Sequence, residues 1–186
     1  MKQALGFVVT GSLTEGFSVR ISPNIPLEQI KTGKFVTIVG ENHIFFSLIT
    51  DLKLEVTNPD ILLFPPASHE KLLIKVLKHK HTYVVAHVKP MLMLNQYNKI
   101  VPVKTIPSHF FPVFDADATD VSLIFGKEEE QQSRYFTIGC PLDMRTPVCI
   151  NLEHLTERSN GIFGKTGTGK TFLTRLILAG LIKHQK

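Results

Sequence analysis

Residues 164–171 read Gly-Lys-Thr-Gly-Thr-Gly-Lys-Thr and satisfy every required position of the pattern G-x-x-x-x-G-K-[ST]. Glycine permits positive φ and close approach of the backbone to an anion, and we expect Gly164, Gly167 and Gly169 to serve in this way. Successive backbone N–H groups then form an anion nest. The positive end of the following helix adds to its field. The pattern therefore predicts a site for the phosphates of a nucleotide.

Two side chains of this loop are expected to act on the phosphates directly. Lys170 is the predicted catalytic residue, because its mobile charge would reach the β- and γ-phosphates and stabilise the phosphoryl charge. The Thr171 hydroxyl is expected to ligate Mg²⁺, so the predicted cofactors are ATP and Mg²⁺. In the rest of the loop we expect backbone amides to matter more than side chains. The predicted binding set is Gly164, Lys165, Thr166, Gly167, Thr168, Gly169, Lys170 and Thr171.

The neighbouring sequence supports this interpretation over a glycine-rich turn that only caps a helix. Ile162 and Phe163 are expected to end a strand, and residues 170–184 to form a helix, which gives the order strand, loop, helix. That helix is apolar over most of its circumference, so we expect it to be buried in an α/β domain. No later strand ends in a Walker B carboxylate. We therefore expect the chain to be the N-terminal part of a longer protein, with negligible hydrolysis on its own.

Composition limits the class of protein. The chain has 186 residues, a net charge of +5, 43% hydrophobic and 20% charged residues, which is typical of a folded globular chain of one or two domains. The longest apolar run, residues 176–182, is far shorter than the about 20 residues of a membrane span. Two cysteines without a Cys-x-x-Cys motif indicate a reducing compartment, and we expect a cytoplasmic protein without a membrane segment.

The first two-thirds of the chain is dominated by short strands separated by turn residues, which favours a small barrel or sandwich. One helix interrupts them at residues 68–78, with Ser68 as the expected N-cap and lysines opposite an apolar face. Pro90 is expected to break or bulge a strand. The polar stretch 126–134 is a candidate junction or loop. The predicted strands cover residues 4–9, 16–21, 34–40, 44–56, 83–88, 91–94, 100–106, 135–138 and 148–150.

We expect structural roles for the other polar residues and for the two cysteines. The lysines of the 68–78 helix with His79 and His81 form a basic patch, which we interpret as a solvated face rather than a DNA contact. The aspartates of residues 115–120 lack the glycine and glutamate of a calcium loop and are expected to form a solvated turn. Cys140 and Cys149 are expected to be small core residues.

With these motifs in view, the chain resembles the HerA-type ATPases of the HerA/FtsK branch of P-loop NTPases. Six segments carry the resemblance. Gly-Phe-Val-Val at residues 6–9, with residues 13–20, resembles the opening of the family's HAS barrel, and residues 111–126 resemble its exit. Residues 138–139 and 147–152 resemble the strand pair before the nucleotide site. Residues 162–171 resemble the family's Walker A loop, and the helix at 68–78 looks like an insertion.

The resemblance implies a fold and a function. The implied fold is a HAS-like β-barrel over residues 1–114 and the start of an α/β RecA-like P-loop domain over residues 115–186. The implied function is that of a homo-hexameric ATPase that translocates or unwinds double-stranded DNA, with a nuclease as a possible partner. Two alternatives stay open: a secretion or conjugation motor of the same branch, and a barrel that serves mainly in assembly and partner docking.

Overall fold

The computed structural model describes residues 3–63, 65–128, 134–141 and 144–184. The chain divides into two compact units, Met1–Ala116 and Asp117–Lys186. The polar stretch predicted as a junction includes residues 129–133, which lie outside the described residues, and the division falls before that stretch. Within the described ranges, no helix is both long and apolar enough to cross a bilayer.

The first unit is a closed β-barrel. Its six barrel strands follow one another around the sheet in the order β2-β1-β7-β3-β4-β5, and pairing of β2 with β5 closes the ring. All strand pairs of the ring are antiparallel. A short seventh strand, β6, pairs with β5 outside the ring. The strands are β1 Gly6–Ser12, β2 Gly16–Ile21, β3 Phe35–Val39, β4 Ile44–Val56, β5 Thr82–Leu94, β6 Ile100–Val101 and β7 Pro112–Asp115.

Alternation of apolar and polar residues explains which side chains fill the barrel. In β2, Phe17, Val19 and Ile21 are buried, whereas Arg20, which lies between Val19 and Ile21, is exposed, as the period of two in a strand requires. The ring of Phe17 meets that of Phe45 from β4 edge-on, with centroids 6.1 Å apart. The core also contains Leu5, Val8, Ile21, Ile30, Val36, Ile38, Ile49, Val84, Ala86, Val88, Met93 and Val113.

The structure changes the strand predictions for residues 83–94 and 100–106. The two strands expected on either side of Pro90 are one strand, β5, because Pro90 lies at a register shift opposite Ser47 and its missing N–H is accommodated there. The shift is the bulge that the proline suggested. The strand expected over residues 100–106 is shorter, since only β6 pairs with β5.

The predicted helical insertion between β4 and β5 is present, with different boundaries. It comprises α1 Asp60–Leu63 and α2 Lys71–Lys80. Ser68 is not the N-cap as predicted: Glu70 holds that position. The Glu70 carboxylate accepts the N–H of Ala67, and the Glu70 N–H donates to the Ala67 carbonyl, so Ser68 lies inside a closed turn.

The described residues of the second unit form a two-stranded antiparallel sheet and three helices. The elements are α3 Ala118–Phe125, β8 Tyr135–Gly139, β9 Val148–Asn151, α4 Leu152–Thr156 and α5 Lys170–His184. The turn predicted around residues 115–120 is instead the start of α3. Asp117 accepts the N–H of Asp120 and Asp120 accepts the N–H of Asp117, each at 2.9 Å, which is a reciprocal capping box. Asp115 ends β7 and pairs with Lys34 of the barrel at 2.8 Å.

The two cysteines differ in burial. Cys149 is buried in β9, as predicted, and its sulfur lies 3.4 Å from the Thr137 hydroxyl. Cys140 is exposed, so its prediction as a core residue is wrong. It directly follows Gly139, the last residue of β8, and therefore lies beyond the pairing of β8 with β9.

Candidate nucleotide-binding site

The loop of residues 164–169 leads directly into the first turn of α5. The Leu173 N–H donates to the Gly169 carbonyl at 2.9 Å, which is the first hydrogen bond of this helix. The amides of Lys170, Thr171 and Phe172 precede that bond and belong to the positive end of the helix dipole. They and the loop therefore offer N–H donors to an anion, as the sequence pattern predicts.

Two glycines of the loop adopt a conformation that other residues rarely take. Gly167 has φ of 84° and Gly169 has φ of 85°, both in the left-handed region. A Cβ at either position would meet no described protein atom within 4 Å, so the constraint that the structure itself shows is the backbone conformation. Gly164 differs from the prediction, because its φ is not positive. It is required for space instead: a Cβ there would lie 2.8 Å from the Thr168 hydroxyl oxygen.

The Lys165 carbonyl oxygen is the centre of the loop's own hydrogen bonds. It accepts from the Thr168 hydroxyl at 2.7 Å and from the Lys170 ammonium at 2.6 Å. The Thr168 N–H lies 3.3 Å from the same oxygen. The Thr168 side chain thus stabilises the loop conformation. The sequence prediction missed this role, because it favoured the backbone amide of Thr168. The Lys170 side chain spans the loop and places its charge inside it.

The site is open to solvent. Residues 164–169 and Thr171 are exposed, and Lys170 is half-buried. Mg²⁺ in nucleotide sites takes few protein ligands and several phosphate or water oxygens. An exposed hydroxyl on the first turn of the helix suits that chemistry, so Thr171 fits the predicted metal ligand. Among the described residues, no cluster of three or more His, Cys, Asp or Glu side chains is arranged to hold a metal.

The strand predicted to end at Ile162 and Phe163 is not formed. Residues 157–169 contain no strand or helix, and the Phe163 side chain is 93% exposed. A strand needs a neighbouring strand for its ladder of hydrogen bonds, and no described strand lies alongside these residues. The predicted order of strand, loop and helix is therefore present only as loop and helix.

Two contacts hold α5 against the rest of its unit. Gly180 lies against the Phe136 ring so closely that a Cβ would approach its carbons to 2.7 Å. At the last turn, the Lys183 ammonium donates to the Glu128 carboxylate at 2.8 Å. This bond and one from the Thr137 N–H lower the pKa of Glu128 to about 2. Sequence reasoning missed this pairing, because nothing local relates residues 55 positions apart.

The helix α5, which is expected to be buried in an α/β domain, is covered on one side only by the described residues. Leu173, Leu176 and Ile177 are half-buried on the side of Gly180, whereas Phe172, Leu178 and Ile182 are 72%, 52% and 67% exposed. The small sheet β8–β9 is the surface that the helix contacts, and it covers one side only.

The other basic residues singled out in the sequence belong to α2 and its end. Lys71, Lys75 and Lys80 are exposed on α2, in keeping with a solvated face, whereas the side chains of residues 78 and 79 lie outside those described. The His81 ring lies 3.2 Å from the Thr57 hydroxyl, which ties the end of α2 to the end of β4.

Two family models match the chain. The HAS barrel domain matches residues 5–106, more than half of the sequence, and the domain described as helicase HerA, central domain, matches residues 136–186. The chain is a HerA-type protein with an N-terminal HAS barrel. No curated protein gave a significant match.

The matches agree with the two units of this HerA-type protein. The HAS-barrel match ends before β7, yet β7 pairs with both β1 and β3 and completes the closed ring. The HerA central-domain match contains the loop of residues 164–171. The two domains indicate an ATPase of the HerA/FtsK branch, and membership of that family suggests interaction with nucleotide and DNA and oligomerisation.

Proposed function

We propose that this HerA-type protein is the ATP-binding part of a homo-hexameric ring ATPase that translocates or unwinds double-stranded DNA in the cytoplasm. The observation that carries the proposal is the loop of residues 164–171, with Gly167 and Gly169 at positive φ and Lys170 directed into the loop. Its domains would be the barrel, residues 1–114, and the start of a RecA-like P-loop domain, residues 115–186.

Lys170 performs the central step of phosphate binding. Its ammonium leaves the Lys165 carbonyl and donates to phosphate oxygens, exchanging a hydrogen bond to a neutral acceptor for a bond between charged groups. The amides of the loop and of the first helical turn then bind the remaining phosphate oxygens. Thr171 supplies a hydroxyl to Mg²⁺, which neutralises phosphate charge when bound.

Calorimetric titration of the chain with ATP in the presence of Mg²⁺ tests the proposal. Lys170→Ala should weaken binding about 10- to 100-fold, because a hydrogen bond to a charged group contributes about 1.5–3 kcal/mol. The matched control is Lys165→Ala, which removes the same charge from the same loop but keeps the carbonyl group. Its effect should be much smaller. The absence of ATP binding by the unaltered chain would refute the proposal.

Hydrolysis by this chain alone is expected to be negligible, because no residue of it is assigned the role of the Walker B carboxylate. Phosphate release from MgATP measures this directly. Rapid turnover that Lys170→Ala abolishes would contradict the expectation, since it would mean that these 186 residues contain a complete catalytic site.

Partner docking is a second candidate function of the barrel, favoured by the surface of α2. Leu72 is 79% exposed, and Leu73 and Val76 are each 45% exposed. The helix has lysines at residues 71, 75, 78 and 80 and no carboxylate. An apolar face on a helix that also carries four lysines suits a partner segment with both apolar residues and carboxylates. We assign this surface to the nuclease partner that the family resemblance implies.

Co-purification with a candidate nuclease tests this assignment. The double variant Leu72→Ser, Val76→Ser should lose the nuclease while the barrel stays folded, because Leu72 is 79% and Val76 45% exposed and neither belongs to the barrel core. Leu13→Ser is the matched control, since Leu13 is 45% exposed on the turn between β1 and β2. Equal retention of the nuclease by all variants would exclude α2 as the docking surface.

A further inference from the structure

Two phenylalanines border the phosphate-binding loop, one at each end. Phe163 directly precedes Gly164 and is 93% exposed, and Phe172 directly follows Thr171 and is 72% exposed. An exposed aromatic ring forgoes the stabilisation that burial would provide. A flat, partly apolar ligand that covers such a ring recovers it, and a nucleotide has such a group in its base.

The two rings differ in their surroundings. The Phe163 ring folds back over its own chain, so that a Cβ on Gly161 would come within 2.4 Å of it. Phe172 is the third residue of α5, and long side chains in helices lean toward the helix N-terminus. We therefore expect the Phe172 ring to lean toward the helix end that carries the open amides, where the phosphates would bind.

The position of Lys170 gives the direction of the nucleotide. Its ammonium reaches across to Lys165, so the terminal phosphates that it would bind lie over that part of the loop. The nucleoside is attached to the other end of the phosphate tail. The donor amides continue from Lys170 through Thr171 to Phe172, and the nucleoside then lies beyond Thr171, within reach of the Phe172 ring.

We propose that Phe172 is the base platform of this site, on which the purine of a nucleoside triphosphate stacks while the loop holds its phosphates. This inference rests on the proposed nucleotide binding. Stacking uses the π-face that every base presents, and larger bases cover more of the ring. The site should therefore favour purine over pyrimidine nucleotides and discriminate weakly between ATP and GTP.

Calorimetry with three probes separates base binding from phosphate binding: ATP, UTP and inorganic tripolyphosphate, each with Mg²⁺. Phe172→Ala should weaken ATP binding by about 5- to 100-fold, the range of base–aromatic stacking, and leave tripolyphosphate binding unchanged. Phe172→Tyr should retain ATP affinity, because it keeps an aromatic face. Phe163→Ala and Leu178→Ala are the controls, one an exposed ring beside the loop and the other an exposed apolar residue of the same helix.

The possible results are distinct. Unchanged ATP affinity of Phe172→Ala, or equal loss of ATP and tripolyphosphate, overturns the role of Phe172 in base binding. Loss of ATP affinity in Phe163→Ala alone assigns the base to the Phe163 ring and also overturns the role of Phe172. If the unaltered chain binds neither ATP nor tripolyphosphate, the proposed function itself fails. Binding of both by the unaltered chain, with selective loss of ATP affinity in Phe172→Ala, supports both proposals.

Discussion

The Lys170 ammonium lies 2.6 Å from the Lys165 carbonyl oxygen, five residues earlier in the chain. This bond closes the phosphate-binding loop on itself, together with the Thr168 hydroxyl that donates to the same oxygen. Under the proposed function, the lysine is thus positioned before any phosphate arrives, and binding would exchange one acceptor for another. Preorganisation of this kind reduces the conformational entropy that binding has to overcome.

The conformation of Gly169 should be required for nucleotide binding. Gly169→Ala imposes a left-handed conformation on a residue with a Cβ, at a cost of about 1–2 kcal/mol. We expect ATP affinity to fall about tenfold. Gly33→Ala is the matched control, because Gly33 has φ of 85° and equally open surroundings, but lies in the barrel. It should lower the thermal stability of the barrel and leave ATP affinity unchanged; equal affinities in both variants would contradict the prediction.

The contact between Gly180 and Phe136 should make alanine unfavourable within a helix. Gly180→Ala would normally stabilise a helix by about 0.5–1 kcal/mol. Here its Cβ would lie 2.7 Å from the buried Phe136 ring, and overpacking typically costs about 1–3 kcal/mol. We expect a lower melting temperature in calorimetry. Adding Phe136→Leu should recover part of the loss, whereas a rise in melting temperature for Gly180→Ala alone would show that the contact is not tight.

The ion pair between Glu128 and Lys183 should make the stability of the second unit depend on pH. The pKa of Glu128 falls from 4.5 to about 2, so the charged form is favoured in the folded state. Its contribution is present above pH 4.5 and is lost as the pH falls toward 2. Glu128→Gln should therefore lower the melting temperature at pH 7 and change it little at pH 2. A difference that is independent of pH would argue against the pairing.

Removal of the Ser47 hydroxyl should stabilise the barrel. Ser47 is fully buried, and its oxygen has no hydrogen-bond partner among the described residues. An unpaired buried polar group costs about 1–3 kcal/mol, so Ser47→Ala should raise the free energy of unfolding in urea by about 1 kcal/mol. The control is Thr50→Val in the same strand, which removes a hydroxyl that donates to the His87 carbonyl and should bring no such gain. Destabilisation by Ser47→Ala would point to a partner for the oxygen.

Local patterns in the sequence predicted the elements that depend on local physics. The bounds of β2, β4 and α5 agree with the predicted ranges 16–21, 44–56 and 170–184. Turn residues border the two strands, and the glycine-rich loop marks the start of the helix. The start of α2 was misplaced, since Ser68 is a good N-cap by type but Glu70 closes the preceding turn. Pro90 was ambiguous between a break and a bulge, and only the pairing with β4 decides for the bulge.

The sequence by itself determined the prediction of a phosphate-binding site, because the residue types and spacing of positions 164–171 match the pattern G-x-x-x-x-G-K-[ST] in full. Only the tertiary structure decided how that loop is held. Three features join residues that are far apart in the chain: closure of the barrel by β7, the contact of Gly180 with the Phe136 ring, and the ion pair of Glu128 with Lys183. Such contacts depend on the three-dimensional path of the backbone, which local periodicity and propensity do not specify.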